Sequence, residues 1–108
     1  MKIEDIEQFI KSNDAVLLYF SGENCSVCKA LQPKIKSSFE LHFPKIKQQF
    51  ISASAHPIIA AHFNIFSIPS VLIYFDGKET KRESRYISVD ELLQKVKRPY
   101  TLFFDKEN

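Results

Sequence analysis

The sequence contains no tryptophan and only two cysteines among its 108 residues. So few cysteines argue against a secreted domain held by several disulfides, because such domains carry more of them, spread to close long loops. Two cysteines also supply only half of a tetrahedral zinc site. Because His42, His56 and His62 are scattered along the chain, we interpret each as a structural histidine and expect no metal.

Long apolar runs and a strong charge imbalance are missing as well. No run approaches the roughly 20 apolar residues of a membrane span, and the N-terminus has early acids and no apolar region typical of a signal peptide. The net charge of +2 is too small to indicate nucleic-acid binding. We therefore expect a cytoplasmic protein whose partners include neither a membrane nor a nucleic acid.

Length and composition predict one globular domain over residues 1–108. Hydrophobic residues make up 44% and charged residues 26% of the chain, which is ordinary for a folded domain. Ten phenylalanines and four tyrosines indicate an aromatic core. A short apolar tail, residues 100–104, follows a helix that we expect Pro99 to end. We favour packing of this tail onto its own chain, with a dimer or partner contact as the alternative.

The apolar patterns predict an α/β fold, with a central mixed sheet of about four strands flanked by helices on both faces. The order is helix, strand, helix, strand, helix, strand hairpin and helix. The predicted elements are a helix over 3–11, a strand over 15–21, a helix reaching 42 or 43, a strand over 46–53, a short helix from 57, strands over 70–75 and 81–86, and a helix over 89–98.

Two cysteines separated by two residues, Cys25 and Cys28, follow the apolar strand and open the next helix. Positions i and i+3 share one face of a helix, so the sulfurs can come within bonding distance. The first thiol would lie over unpaired backbone N–H groups at the positive end of the helix, which favours the thiolate. A bridge this short closes almost no loop and adds little stability. Reactivity explains the pair better than the alternative of two small buried apolar residues.

These residues resemble the thioredoxin family over about residues 3 to 98. The match consists of the dithiol after an apolar strand, Pro33 five residues after Cys28, and Ile68-Pro69-Ser70, which is similar to the family's Ile-Pro-Thr segment. Asp76-Gly77-Lys78 also matches the hairpin turn that follows. The resemblance implies a thioredoxin-like fold with a cis peptide bond before Pro69.

The resemblance further implies a thiol–disulfide oxidoreductase that reduces protein disulfides. Cys25 would attack the substrate and Cys28 would resolve the mixed disulfide, with no cofactor beyond the redox-active cysteine pair. Asn24, Ile68 and Pro69 would bind the substrate chain. The implied partners are protein disulfide substrates and an electron-donor reductase, and we expect a monomer.

The chain departs from the family pattern at several positions around the dithiol. Ser26-Val27 replaces Gly-Pro, Asn24 stands where the family has Trp, and a glycine is replaced near Arg85. Tyr19 occupies the position of a buried aspartate. A tyrosine does not readily accept a proton near neutral pH, because its reference pKa is about 10.

Without that aspartate, Glu23 is the nearest candidate in sequence for a base that serves Cys28. Of the two interpretations of Glu23, we favour a solvated loop carboxylate over a base. A carboxylate near Cys25 would oppose the thiolate, whereas Lys29 would favour it. Glutaredoxin-like chemistry is a weaker alternative, because the segment after Ser84 lacks the glycine pair expected for glutathione binding. The remaining alternative is a non-catalytic adaptor or protein-interaction module with the same fold.

Overall fold

The computed structural model describes residues 1–105, and residues 106–108 at the end of the predicted domain lie outside the described part. The order of helices and strands is the predicted one. The elements are α1 Ile3–Ser12, β1 Ala15–Ser21, α2 Ser26–His42, β2 Lys47–Ser52, α3 Pro57–His62, β3 Ser70–Phe75, β4 Lys78–Ser84 and α4 Val89–Phe104. No helix in residues 1–105 is long and apolar enough to cross a membrane.

The four strands form one mixed sheet in the order β2-β1-β3-β4, which confirms the predicted α/β class. β1 pairs with β2 in parallel and with β3 in antiparallel orientation. The parallel pair is the βαβ unit that contains α2, and β3 and β4 form the hairpin. The sheet places β1 in its interior, with its end leading into the two cysteines.

The strand β1 is buried along six consecutive positions because helices cover both of its faces. Ala15, Leu17 and Tyr19 belong to the core layer shared with α2 and α4. The alternating residues Val16, Leu18 and Phe20 belong to the opposite layer with α1 and α3. The continuous apolar run in the sequence is therefore two interleaved apolar faces.

The loop before β4 is shorter than the sequence predicts, because a tight turn connects β3 to β4. Asp76 and Gly77 both have positive φ, 54° and 75°, as a two-residue type I′ turn requires. The strand therefore begins at Lys78, opposite Phe75, and the predicted start at residue 81 is wrong. The last paired residue is Ser84, two residues before the predicted end.

The prediction that Pro99 ends the last helix is wrong, because α4 continues to Phe104. Proline removes one helical hydrogen bond, but the residues beyond it are held by aromatic packing. The ring centroids of Phe43 and Tyr100 lie 4.9 Å apart, and those of Phe75 and Phe103 lie 5.6 Å apart. The backbone N–H of Lys45 also donates to the Tyr100 hydroxyl at 3.3 Å. The apolar tail is thus the last turn of α4, packed on its own core.

We expect Tyr100→Ala to lower the free energy of unfolding by about 2 kcal/mol, because it removes ring contacts and a hydrogen bond from a half-buried site. Leu102→Ala is the matched control, since Leu102 is in the same turn but 58% exposed, and should cost less than about 0.5 kcal/mol. Urea unfolding of both variants measures the difference. Equal losses would contradict the packing of this turn.

Candidate active site

Cys25 and Cys28 lie at the junction where β1 leads into α2. Cys25 is the N-cap of α2, and its sulfur accepts the backbone N–H of Cys28 at 3.2 Å. The two residues are joined as a disulfide, with their Cα atoms 5.2 Å apart. Cys25 is half-buried, whereas Cys28 is only 1% exposed. The two cysteines of this disulfide therefore have unequal access to solvent.

The side chain of Tyr19 is hydrogen-bonded to the first turn of α2. Its hydroxyl donates to the backbone carbonyl of Cys28 at 2.8 Å, and its ring is fully buried in the core. Burial raises the pKa of Tyr19 to about 12. The phenol therefore stays protonated near neutral pH. It acts there as a hydrogen-bond donor and cannot serve as a base.

The segment before β3 lies against the chain that leads to Cys25. The peptide bond between Ile68 and Pro69 is cis, Pro69 is buried and Ile68 is half-buried. A Cβ atom placed on Gly22 would lie 2.5 Å from Cδ1 of Ile68 and 3.1 Å from Oγ of Ser54. Glycine at this position thus lets the Ile68 side chain approach the backbone three residues before Cys25.

The backbone around Pro69 has one paired and one unpaired part. The carbonyl of Pro69 accepts the backbone N–H of Arg85 at 2.8 Å. The hydroxyl of Ser70 bonds the carbonyl of Ser67 at 2.7 Å and approaches the Ser84 hydroxyl at 3.0 Å. Within residues 1–105, the N–H and carbonyl of Ile68 make no hydrogen bond. The unpaired N–H and carbonyl of Ile68 therefore adjoin the hydrogen-bonded Pro69, and the Ile68 side chain lies against Gly22.

The other sequence-predicted site residues lie on the surface near the dithiol. Glu23 is exposed, and its backbone N–H donates to Ser54 Oγ at 3.0 Å. Asn24 is exposed with φ of 54°, a conformation that asparagine tolerates. Lys29 is exposed in the first turn of α2. Neither the Glu23 carboxylate nor the Lys29 ammonium forms an ion pair with another described residue.

Val27 stands four residues before Leu31, a spacing typical of one helix face, but it is 57% exposed and does not belong to the buried stripe of α2. The stripe that packs on the sheet consists of Cys28, Leu31, Ile35 and Phe39. Among the described residues, the two most exposed large apolar side chains are Phe66 at 88% and Tyr86 at 96%. These two residues flank in sequence the Ile68-Pro69 segment and Arg85.

Sequence reasoning missed the contacts of Gly22 and Ser54. Gly22 is one of only two glycines in the chain, which was a usable signal for a close backbone approach. Ser54 is 31 residues from its partner Glu23, and nothing local in the sequence indicates that contact. Within the described part of the chain, no group of three or more His, Cys, Asp or Glu side chains is arranged to hold a metal ion.

The amino-acid sequence is similar to one known protein family and to several of its members. The family model described as Thioredoxin matches residues 2–98. Thioredoxin-like protein YdfQ of Bacillus subtilis is 37% identical over 98 residues, covering 91% of this chain and 87% of that protein. Thioredoxin of Chlamydia muridarum is 34% identical over 82 residues, covering 75% of this chain and 78% of that protein. The chain therefore belongs to the thioredoxin family.

Solved structures give the same result. Thioredoxin 1 from Thermosipho africanus is 30% identical with a TM-score of 0.74, covering 81% of this chain and 96% of that one. Mitochondrial thioredoxin 3 from Saccharomyces cerevisiae, in its oxidised form, has a TM-score of 0.77 at 20% identity and covers 89% of each chain. The second likeness concerns the fold. Family membership and the joined cysteine pair support thiol–disulfide oxidoreductase activity.

We expect Tyr19→Phe to lower the free energy of unfolding of the oxidised protein by about 1 kcal/mol, because it removes the bond to the Cys28 carbonyl and keeps the ring. Tyr74→Phe is the matched control. Tyr74 is also buried, but its hydroxyl makes no hydrogen bond within residues 1–105. Chemical denaturation compares the two variants, and an equal effect of both would contradict the role of the bond.

We expect Gly22→Ala to destabilise the protein by about 1–3 kcal/mol, because the new methyl group overlaps the Ile68 side chain. Adding Ile68→Val removes Cδ1, the atom in conflict, and should restore most of the loss. Thermal unfolding of the two single variants and the double variant measures this coupling. Additive losses in the double variant would show that the close approach is not the cause.

Proposed function

We propose that this protein reduces disulfide bonds of other proteins through Cys25 and Cys28, as a monomer in the reducing cytoplasm. The observation that carries the proposal is the inequality of the two sulfurs. Cys25 is partly accessible at the positive end of α2, whereas Cys28 is buried behind it. One thiol can therefore meet a substrate while the other is held for the following step.

Cys25 begins the reaction as the thiolate. In the structure its sulfur accepts the N–H of Cys28, and in the reduced protein this donor and the helix N-terminus stabilise the negative charge. The thiolate attacks one sulfur of the substrate disulfide. A bond forms between Cys25 and that sulfur, the substrate S–S bond breaks, and the other substrate sulfur leaves as a thiolate that takes a proton.

Cys28 completes the reaction by attacking the sulfur of Cys25. The thiol of Cys28 loses its proton, the Cys25–Cys28 bond forms, and the bond between Cys25 and the substrate sulfur breaks, so that this sulfur leaves and is protonated. Counted from the dithiol, whose Cys25 thiol released its proton when the thiolate formed, the protein has lost two electrons and two protons, and the substrate has gained two electrons and two protons. An electron-donor reductase that supplies two electrons and two protons restores the dithiol.

The phenol of Tyr19 does not take the proton of Cys28 in this scheme, because burial raises the pKa of Tyr19 to about 12. The Glu23 side chain is exposed to solvent and Cys28 is buried. We propose that the proton of Cys28 passes to water or to the departing substrate thiolate. The role of Tyr19 is then to position the first turn of α2.

The unpaired backbone of Ile68 is the proposed docking edge for the substrate. Its free N–H and carbonyl suit an extended chain that pairs with them as an added strand. Asn24, exposed beside Cys25, and Pro69, fixed behind the edge, complete this surface. Main-chain pairing recognises backbone more than sequence, which suits a reductase that acts on protein disulfides.

The test is to trap the intermediate with a disulfide-linked peptide. Cys28→Ser should accumulate a covalent complex with the peptide through Cys25, and Cys25→Ser should form at least tenfold less, because the buried Cys28 cannot reach the substrate. In the reduced wild type, iodoacetamide should modify Cys25 much faster than Cys28. Mass spectrometry reads both experiments.

Equal trapping by both variants would contradict the assigned roles. Two thiols that neither form a disulfide nor react with iodoacetamide in the folded protein would contradict the reductase. That result would favour the non-catalytic adaptor, whose binding surface would include the exposed Val27, Phe66 and Tyr86.

A further inference from the structure

Arg85 stands in an unusual backbone conformation beside the proposed docking edge. Its φ is 65°, in the left-handed region that costs free energy for a residue with a long side chain. Its backbone N–H donates to the carbonyl of Pro69 at 2.8 Å. This bond fixes Arg85 next to the residue that follows the unpaired N–H and carbonyl of Ile68.

The guanidinium of Arg85 has no partner within the described part of the chain. Its side chain is exposed and forms neither a hydrogen bond nor an ion pair there. The two charged residues nearest before it in sequence are paired, since Arg82 binds Glu79 at 2.7 Å and Glu83 binds Lys95 at 3.0 Å. Lys81, further along β4 from Pro69, forms no ion pair with a described residue. Of the unpaired cations on β4 and directly after it, Arg85 is therefore the one nearest to Pro69 among the described residues.

A second exposed cation, Lys29, lies in the first turn of α2, and Glu23 is the exposed carboxylate before the dithiol. Neither of these side chains forms an ion pair with a described residue. The residues that border the docking edge and the dithiol thus carry two cations and one anion. This balance favours a substrate segment with negative charge.

We propose that Arg85 is a specificity-determining residue that selects disulfides whose cysteine is flanked by aspartate or glutamate. The inference rests on the proposed function, because it assumes that the substrate chain pairs with Ile68. A substrate chain that pairs with Ile68 passes Arg85, because the backbone N–H of Arg85 is hydrogen-bonded to the carbonyl of the next residue, Pro69. Guanidinium suits the task, since its planar fork of N–H groups binds both oxygens of a carboxylate.

The experiment compares two peptides that carry the same disulfide-linked reporter group. In one peptide glutamates flank the cysteine, and in the other glutamines replace them. We expect the reduced wild type to react with the acidic peptide about two- to fivefold faster at low salt, the size of an exposed ion pair. The ratio of the two rates should approach one at about 0.5 M salt.

Variants of Arg85 and Lys78 test whether the preference for the acidic peptide depends on Arg85. Arg85→Gln should bring the rate ratio to about one, and Arg85→Lys should keep part of it, because charge remains without the fork. Arg85→Gly removes the charge and adopts the positive φ freely, so it should lose the ratio even if Arg85→Gln folds poorly. Lys78→Gln is the matched control. It removes one exposed charge from the opposite end of β4 and should keep the wild-type ratio.

The outcomes separate this inference from the proposed function. Wild-type reduction of both peptides at equal rates would contradict the role of Arg85 and leave the reductase standing. An equal fall of the ratio in Lys78→Gln and Arg85→Gln would also contradict it, since the effect would then come from net charge. Failure of the wild type to reduce either peptide would overturn the proposed function and this inference with it.

Discussion

The hydrogen bond from the Tyr19 hydroxyl to the Cys28 carbonyl connects the core of the protein to its dithiol. Tyr19 belongs to β1, which is buried between two apolar layers and paired on both edges. A strand held in this way cannot shift without disturbing both layers, because protein interiors are close-packed. The bond transmits that rigidity to the first turn of α2. Cys28 lies buried in this turn and Cys25, its half-buried N-cap, precedes it, and the proposed chemistry depends on this difference in exposure.

The proposed chemistry depends on backbone groups of the site more than on charged side chains. The N–H of Cys28 donates to the sulfur of Cys25, and the unpaired N–H and carbonyl of Ile68 form the proposed docking edge. The titratable side chains predicted from the sequence, Glu23 and Lys29, lie exposed at the rim. Such charges act weakly through solvent, so we assign to them a smaller part than to the geometry of α2.

Much of this arrangement was predictable from the sequence because it depends on local signals. The apolar run of β1, the spacing of the cysteines and the Asp76-Gly77 turn each carry their structural meaning within a few residues. Pro99 shows the limit of such rules, since the packing of Tyr100 and its neighbours on the core outweighs one lost helical bond. The contact of Gly22 with Ile68 joins residues far apart in sequence. No periodic pattern encodes a contact of that kind.

The proposed reduction of protein disulfides requires that Cys25 and Cys28 form a reversible two-electron couple. The most direct test is a redox titration of the wild-type protein against glutathione, with the dithiol and disulfide forms separated by their reaction with an alkylating reagent. We expect one two-electron transition with a midpoint between about −270 and −120 mV, the range of dithiols with this chemistry. A protein whose thiols stay reduced, or whose disulfide stays oxidised, at every potential in that range would contradict it.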